Sequence, residues 1–222
     1  MIITIDGPVA SGKSSVAKEI GNRLGLFYLN TGLLYRAVAY ILIHDFRKTI
    51  NWDLPVEFAD QELEFVKDIV YEFIDREPHV IFMGKDITKF LSDASYDQVA
   101  SVVSALKIVR DKLLPVQRII GQKYNIIADG RDCGSVVFPN ADYKFFLTAS
   151  VDARVRRVIT DPKRKAQSDD YDKVKAEIES RDKRDQERVI APLTIPEGAI
   201  MVDSTAFDFE QTVQAILKYI KK

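Results

Sequence analysis

Met1-Ile2-Ile3-Thr4-Ile5-Asp6-Gly7-Pro8-Val9-Ala10-Ser11-Gly12-Lys13-Ser14 opens the chain and decides its fold. Residues 1–6 form an apolar run with β-branched side chains at four of six positions, which predicts a buried strand. Gly7 to Ser14 is a full match to G-x-x-x-x-G-K-[ST]. Ser15-Val16-Ala17-Lys18-Glu19-Ile20 then begins a helix, with Val16, Ile20 and Leu24 spaced for one face. Strand, glycine loop and helix start come in the order that gives the motif its meaning. Glycines let successive backbone N–H groups converge on an anion at a helix N-terminus. Gly7, Pro8, Val9, Ala10, Ser11, Gly12, Lys13, Ser14 and Ser15 are therefore read as a nucleoside triphosphate site. Lys13 can reach the β- and γ-phosphates, and the Ser14 hydroxyl can ligate Mg²⁺. The competing reading is a flexible loop that happens to contain Lys-Ser, and the flanking strand and helix weigh against it.

With 222 residues, the chain is long enough for one large domain, or for a domain carrying an inserted lobe. Its 46% hydrophobic and 29% charged residues suit a soluble globular protein. A net charge of −1 gives no reason to expect a nucleic-acid polymer as partner. One cysteine, Cys133, rules out an internal disulfide and suits a reducing cytosol. No apolar run approaches the ~18 residues of a membrane span, and no signal peptide precedes the first strand. The expectation is a cytoplasmic monomer.

Along the chain, Leu26–Leu29 reads as a short buried strand, and a helix follows with Thr31 as its N-cap. Arg36 in that helix's first turn opposes the helix dipole. It either faces an anionic ligand or points into solvent. From about Ile50 to Ser104 the pattern changes: Phe58, Phe65-Val66, Ile69-Val70 and Phe73-Ile74 predict an apolar-faced helix, and His79–Met83 a strand before a tight turn at Gly84. This stretch has no catalytic motif and is read as an inserted lobe. Val99, Val102-Val103, Leu106, Val109 and Leu113 recur at helical spacing, with Ser101, Ser104 and Arg110 on the opposite face, where they converge or are merely solvated.

Asn125–Asp129 predicts a strand ending in an acid, the position at which P-loop proteins keep the carboxylate that holds Mg²⁺ directly or through water. Arg131 and Asp132 project from the loop beyond it, where open α/β sheets place their ligands. Tyr143–Thr148 and Ala199–Asp203 are further strands, and Val213, Ile216, Leu217 and Ile220 mark a terminal helix. Between them Arg154, Arg156, Arg157, Lys163, Arg164 and Lys165 make a basic run, either a solvated surface or a lid closing over phosphates. Arg181, Arg184, Asp185 and Arg188 share one face of a charged helix, for which intrahelical salt bridges would be a sufficient explanation.

Together these pieces resemble the bacterial cytidylate kinase family, the CMP/dCMP branch of the nucleoside monophosphate kinases. The resemblance rests on Ile5-Asp6-Gly7-Pro8 with the phosphate loop, Asn30-Thr31-Gly32 with Tyr35-Arg36-Ala37, and Ser101 through Arg110. It continues in Asp129-Gly130-Arg131-Asp132-x-Gly-x-Val-Val-Phe-Pro, Arg181-Asp182-x-Arg184-Asp185-x-x-Arg188, Ala191-Pro192-Leu193 and Asp203-Ser204-Thr205. It implies an α/β P-loop NTPase fold: a five-stranded parallel sheet flanked by helices, with core 1–40, 105–150 and 189–222, a monophosphate-binding lobe about 41–104, and a lid about 151–170. The implied activity is transfer of the γ-phosphate of ATP to CMP or dCMP, with ATP and Mg²⁺ required and Ser14 and Asp129 at the metal.

By the same resemblance, Ser101, Arg110 and Asp132 read the cytosine edge, while Arg36, Arg131 and Arg188 hold the acceptor's phosphate. Asp185 with Arg181 contacts the sugar, and Thr31 and Tyr35 complete the CMP contacts. Lys13, Arg131, Arg154 and Arg157 are the implied catalytic cations, the last two as lid arginines. The family's pattern is not matched everywhere: Asn30 stands where aspartate is usual, and Pro196-Glu197-Gly198-Ala199 where an Asp-Ala pair is usual. Two alternatives stay open from the residues alone: a P-loop kinase of another small acceptor, such as UMP or AMP, and a non-catalytic nucleotide-binding protein. The base-edge set argues against the first, the intact Lys13, Ser14, Arg131 and Arg188 against the second.

Overall fold

A computed structural model of the chain describes residues 1–46, 57–92, 96–161 and 170–221. The expected parallel sheet is present, built from β1 (Ile2–Asp6), β2 (Phe27–Asn30), β6 (Ile126–Gly130), β7 (Tyr143–Thr148) and β8 (Ile200–Asp203) in the order β2-β6-β1-β7-β8. In β1, the β-branched Ile3, Thr4 and Ile5 are buried, as a parallel sheet covered on both faces requires, and Asp6 at the strand's end is buried with them. Ile3 lies opposite Tyr143 of β7, and Phe145 of β7 opposite Ile200 of β8. With β6 and β7 as neighbours of β1, the order of strands switches direction there, which puts a ligand crevice beyond the carboxyl end of β1. The phosphate loop emerges at that point.

The chain divides into two compact units. One comprises Met1–Leu26 and Ile127–Lys222. Here α1 (Lys13–Leu24) packs on β1 and on α7 (Phe209–Leu217), while α5 (Val151–Thr160) packs on α6 (Tyr171–Glu187). Ile3, Ile5, Ile20, Phe145, Leu147, Val213 and Ile216 are its buried heart. Each large aliphatic or aromatic side chain removed from water contributes about 1.5–3 kcal/mol. The other unit is Phe27–Ile126, in which α2 (Thr31–His44) packs on α3 (Tyr96–Val103), and α4 (Lys107–Lys123) packs on a small antiparallel sheet. That sheet is β3 (Ile69–Ile74), β4 (Glu77–Phe82) and β5 (Lys85–Asp86). Leu34, Ile41, Leu63, Val80, Leu91 and Leu113 fill its core. The expected inserted lobe, 41–104, falls within this unit, though its residues 47–56 and 93–95 lie outside the described ones. Of the expected lid, Val151–Thr160 is helix α5, and residues 162–169, with Lys163, Arg164 and Lys165, lie outside the described residues.

Three local expectations are corrected. The apolar-faced helix over Phe58–Ile74 is instead a 3-10 stretch, Asp60–Asp68, followed by strand β3. Ile69 and Tyr71 are buried while Val70 and Glu72 are exposed, the alternation of a half-buried strand. The long helix through Val99–Leu113 is two helices, α3 and α4, parted at Ser104–Leu106. Asn30, not Thr31, occupies the N-cap of α2; its side chain makes no capping bond, and Thr31 is already helical. Among the described residues no helix is long and apolar enough to cross a membrane.

Candidate active site

The phosphate loop is shaped by contacts that leave its residues little choice. Gly7 has φ +150°, and a Cβ there would meet the Leu147 carbonyl oxygen at 2.1 Å, so the first glycine is fixed by close approach to β7. Gly12, at φ +91°, forms the N-cap of α1. Ala10, at φ +58°, adopts the left-handed conformation without being glycine, which must be held by its surroundings. Lys13 is buried, its Nζ donating to the Pro8 carbonyl at 2.7 Å and to Ser11 Oγ at 3.4 Å. Burial, and then the nearby Arg131 cation, hold its pKa well below the usual lysine range. A polyanion brought to the loop would restore that charge.

The Ser14 hydroxyl donates to Asp129 Oδ2 at 2.7 Å, joining the first turn of α1 to the end of β6. Two hard oxygen donors so placed fit Mg²⁺, which takes few protein ligands and completes its octahedron with phosphate and water. Among the described residues no group of three or more His, Cys, Asp or Glu could hold a metal without such help.

Beyond β6 the chain makes a single π-turn, Cys133–Val137. Asp6, at the end of β1, reaches across and accepts from the backbone N–H of Cys133 at 2.8 Å and of Gly134 at 2.7 Å. Gly134 is needed for that approach: a Cβ would lie 2.7 Å from Thr4 Oγ1 and 3.2 Å from Asp6 Oδ2. Asp6 thereby fixes the loop that carries Arg131 and Asp132. Sequence reasoning assigned Asp6 no role, although an acid ending an apolar buried strand is itself a signal. Its pKa is raised to about 6, because burial outweighs the two amide bonds and the Asp132 charge adds to the rise.

Arg131 and Asp132 are each paired with helix α6. Arg131 Nε donates to Asp185 Oδ2 at 2.6 Å, and Arg188 Nη2 to Asp132 Oδ1 at 3.2 Å. Burial alone would lower the pKa of Arg131, but Asp185, by its charge and its hydrogen bond, outweighs that and holds the guanidinium pKa up. Arg188 caps α6 and also donates to the Ala191 carbonyl at 2.6 Å, while the Leu193 N–H donates to the Asp185 carbonyl at 2.7 Å. Within the Arg-Asp stripe on α6, Asp185 and Arg188 serve the β6 loop. Arg181 lies half-buried one turn earlier on the same helix. Two of the three arginines of α5, Arg154 and Arg157, turn to the phosphate loop's own backbone. Arg154 donates to the Val9 carbonyl at 3.0 Å, Arg157 to the Ser11 carbonyl at 3.1 Å.

In the second unit, the break between α3 and α4 draws the polar residues together. The Ser104 hydroxyl donates to the Ser101 carbonyl at 2.9 Å, and Arg110 Nη1 donates to the Ser104 carbonyl at 2.9 Å. Arg110 also sits over the Tyr35 ring, 5.5 Å from its centroid. Ser101, Arg110, Tyr35 and Thr31 are buried. Arg36 is half-buried and donates to the Leu91 carbonyl at 3.0 Å, so it does not simply point into solvent.

The cytidylate kinase family's sequence profile matches residues 3–222. The chain belongs to the cytidylate kinase family. Among its relatives is a cytidylate kinase of Thermotoga neapolitana, 39% identical over 99% of this chain and 96% of that protein. One from Caldanaerobacter subterraneus subsp. tengcongensis is also 39% identical, over 99% of this chain and 94% of its own length. One from Acholeplasma laidlawii is 36% identical over 99% and 94%. An uncharacterized protein from Eubacterium ventriosum has a crystal structure similar to this chain, with a TM-score of 0.52 at 14% identity, covering 99% of this chain and 98% of that one, a likeness of fold alone. Phosphoryl transfer, the reaction of a kinase family, asks for positioned anions and neutralised charge rather than covalent help.

Proposed function

We propose that the chain transfers the γ-phosphoryl group of ATP to CMP or dCMP, giving ADP and CDP or dCDP. The observation that carries this reading is the family match across residues 3–222, with relatives named cytidylate kinases over nearly their whole length. The phosphate loop, Gly7 to Ser15, cradles the triphosphate, and Lys13 neutralises its β- and γ-phosphates. Ser14 and Asp129 hold Mg²⁺, which when bound screens charge between the phosphates. Arg131 and Arg188 receive the acceptor's phosphate, with Arg36 assisting, while Asp185 and Arg181 contact its sugar. No general base is needed, because the attacking phosphate oxygen is already anionic. The single buried cysteine fits a reducing cytoplasm as the place of work.

Base choice falls to Ser101, Arg110 and Asp132. Cytosine offers an amino donor and an unprotonated ring nitrogen; uracil offers a carbonyl and an N–H. Asp132 and the Ser101 hydroxyl accept from the amino group, and Arg110 donates to the ring nitrogen or the O2 carbonyl. Uracil sets acceptor against acceptor, at roughly 1–3 kcal/mol per unpaired buried group. CMP is therefore preferred over UMP by on the order of 10- to 1000-fold in kcat/KM. A coupled ADP-release assay with CMP, dCMP, UMP, AMP and no acceptor tests the reading. Ser101→Ala with Asp132→Ala should narrow the CMP/UMP ratio, and Ser104→Ala should not. Equal use of UMP by the wild type would overturn the base assignment.

A further inference from the structure

We propose that the buried Arg154–Asp182 ion pair is a positioning device for the phosphate loop: it grips both polar ends of Val9, so that triphosphate affinity depends on it. The proposal rests on the reading of Gly7–Ser15 as the ATP site. Asp182 Oδ1 accepts the Val9 N–H at 3.0 Å, while Arg154 Nη1 donates to the Val9 carbonyl at 3.0 Å. The same Nη1 donates to Asp182 Oδ2 at 2.5 Å, closing the grip, and Arg154 Nε is anchored on the Ala149 carbonyl at 3.1 Å. One residue of the loop is thus held by an acceptor from α6 on one side and a donor from α5 on the other.

The Val9 side chain is held as well. It packs in a buried cluster with Val155 of α5 and Val174 and Ile178 of α6, and Ala10, Val151, Val158 and Ile159 border it. The next residue, Ala10, is the one non-glycine of the loop in the left-handed region, a conformation an alanine keeps only under restraint. Arg157 adds a third hold two residues on, at the Ser11 carbonyl, and is tied to Ser204 through Oγ at 3.2 Å and the carbonyl at 2.6 Å.

Stability alone is a poor reason for such a pair. Desolvating two ions offsets most of their attraction, and apolar residues of similar volume often serve a core as well. What apolar residues cannot do is donate to one end of Val9 and accept from the other. The pair also differs from a lid cation: in this structure Arg154 directs its guanidinium to the loop's backbone. Asp182 lies in the Arg181–Arg188 segment without any role having been read for it from sequence.

The test is titration of purified full-length protein with a non-transferable ATP analogue and, separately, with CMP, alongside thermal unfolding. Arg154→Lys keeps the positive charge beside Asp182 but cannot span Asp182, Ala149 and Val9 together. It should bind the ATP analogue at least fivefold more weakly, with CMP affinity within twofold of wild type. The charge exchange R154D/D182R restores opposite charges but sets a carboxylate against the Val9 carbonyl and a guanidinium against its N–H. Its ATP-analogue affinity should stay at least fivefold down. Wild-type analogue affinity in Arg154→Lys, recovery in the exchanged pair, or proportional weakening of both nucleotides would overturn the proposal. Should the exchanged pair fail to fold, Arg154→Lys decides the matter. Lys13→Ala serves as the separate control: undiminished analogue binding there would overturn the phosphate-loop reading itself, whatever Arg154→Lys does.

Discussion

Replacing Asp6 by asparagine should change how the protein's stability depends on pH. The Asp6 carboxyl is fully buried, and two influences compete for it. Burial disfavours the charge, while the N–H groups of Cys133 and Gly134 favour it. Burial wins, lifting the pKa from 3.8 to about 6, with Asp132 adding to the rise and Lys13 opposing it. Between those values the folded protein keeps a proton that the unfolded chain has lost, so stability falls as pH rises through the window. A rise of about two pKa units corresponds to roughly 3 kcal/mol at about 1.36 kcal/mol per unit. Asp6→Asn is neutral throughout and serves as the reference. Its amide offers one oxygen to two N–H donors, which adds a constant loss of about 1–3 kcal/mol. The slope is therefore the readout, not the offset. Urea unfolding of both proteins from about pH 4 to pH 7.5 should show the wild type losing on the order of 3 kcal/mol relative to Asp6→Asn. A flat difference would refute the reasoning. A difference that grows with pH would mean that the two amide bonds dominate and the carboxyl titrates below its ordinary value.

Two further outcomes concern the site. Lys13→Ala should lower turnover by on the order of 10²-fold or more, as loss of a preorganised charge at the reacting phosphates does, while its circular dichroism spectrum stays that of the wild type; near-normal turnover would remove Lys13 from the reaction. Arg131→Lys should cost at least tenfold in kcat/KM for CMP, because lysine cannot make the planar two-pronged contact, and full activity would exclude that role.

The phosphate loop was legible because its motif is a statement about backbone geometry, strands β1 and β6 because buried parallel strands are continuous apolar runs, and β7 and β8 from short, mostly apolar stretches that the structure buries only in part. β3 was misread because Phe65-Val66, Ile69-Val70 and Phe73-Ile74 recur at three- and four-residue spacing. Its hairpin gave no warning either. Asp75 and Arg76 both adopt positive φ, +50° and +68°, where an Asn-Gly or Asp-Gly pair is the usual sign. The break between α3 and α4 was hidden for the opposite reason, since the apolar period runs through Ser104–Leu106 with no glycine or proline to interrupt it. The arginines could be named as cations from sequence, but not their partners. That Arg131 meets Asp185, 54 residues away, and Arg154 meets Asp182 is a product of tertiary packing.

Helix α6 and its cap supply Asp185 to Arg131, Asp182 to Arg154 and Arg188 to Asp132. Two of the guanidinium groups proposed to receive the acceptor's phosphate, those of Arg131 and Arg188, are therefore already neutralised by monoanions. An incoming ligand gains only the surplus of its own charge over that of a carboxylate. A phosphate monoester, which carries nearly two charges at neutral pH, has that surplus; a carboxylic acid or an uncharged alcohol has none. Such an arrangement behaves less like a magnet for anions than like a balance already loaded on one pan, which only a heavier anion tips.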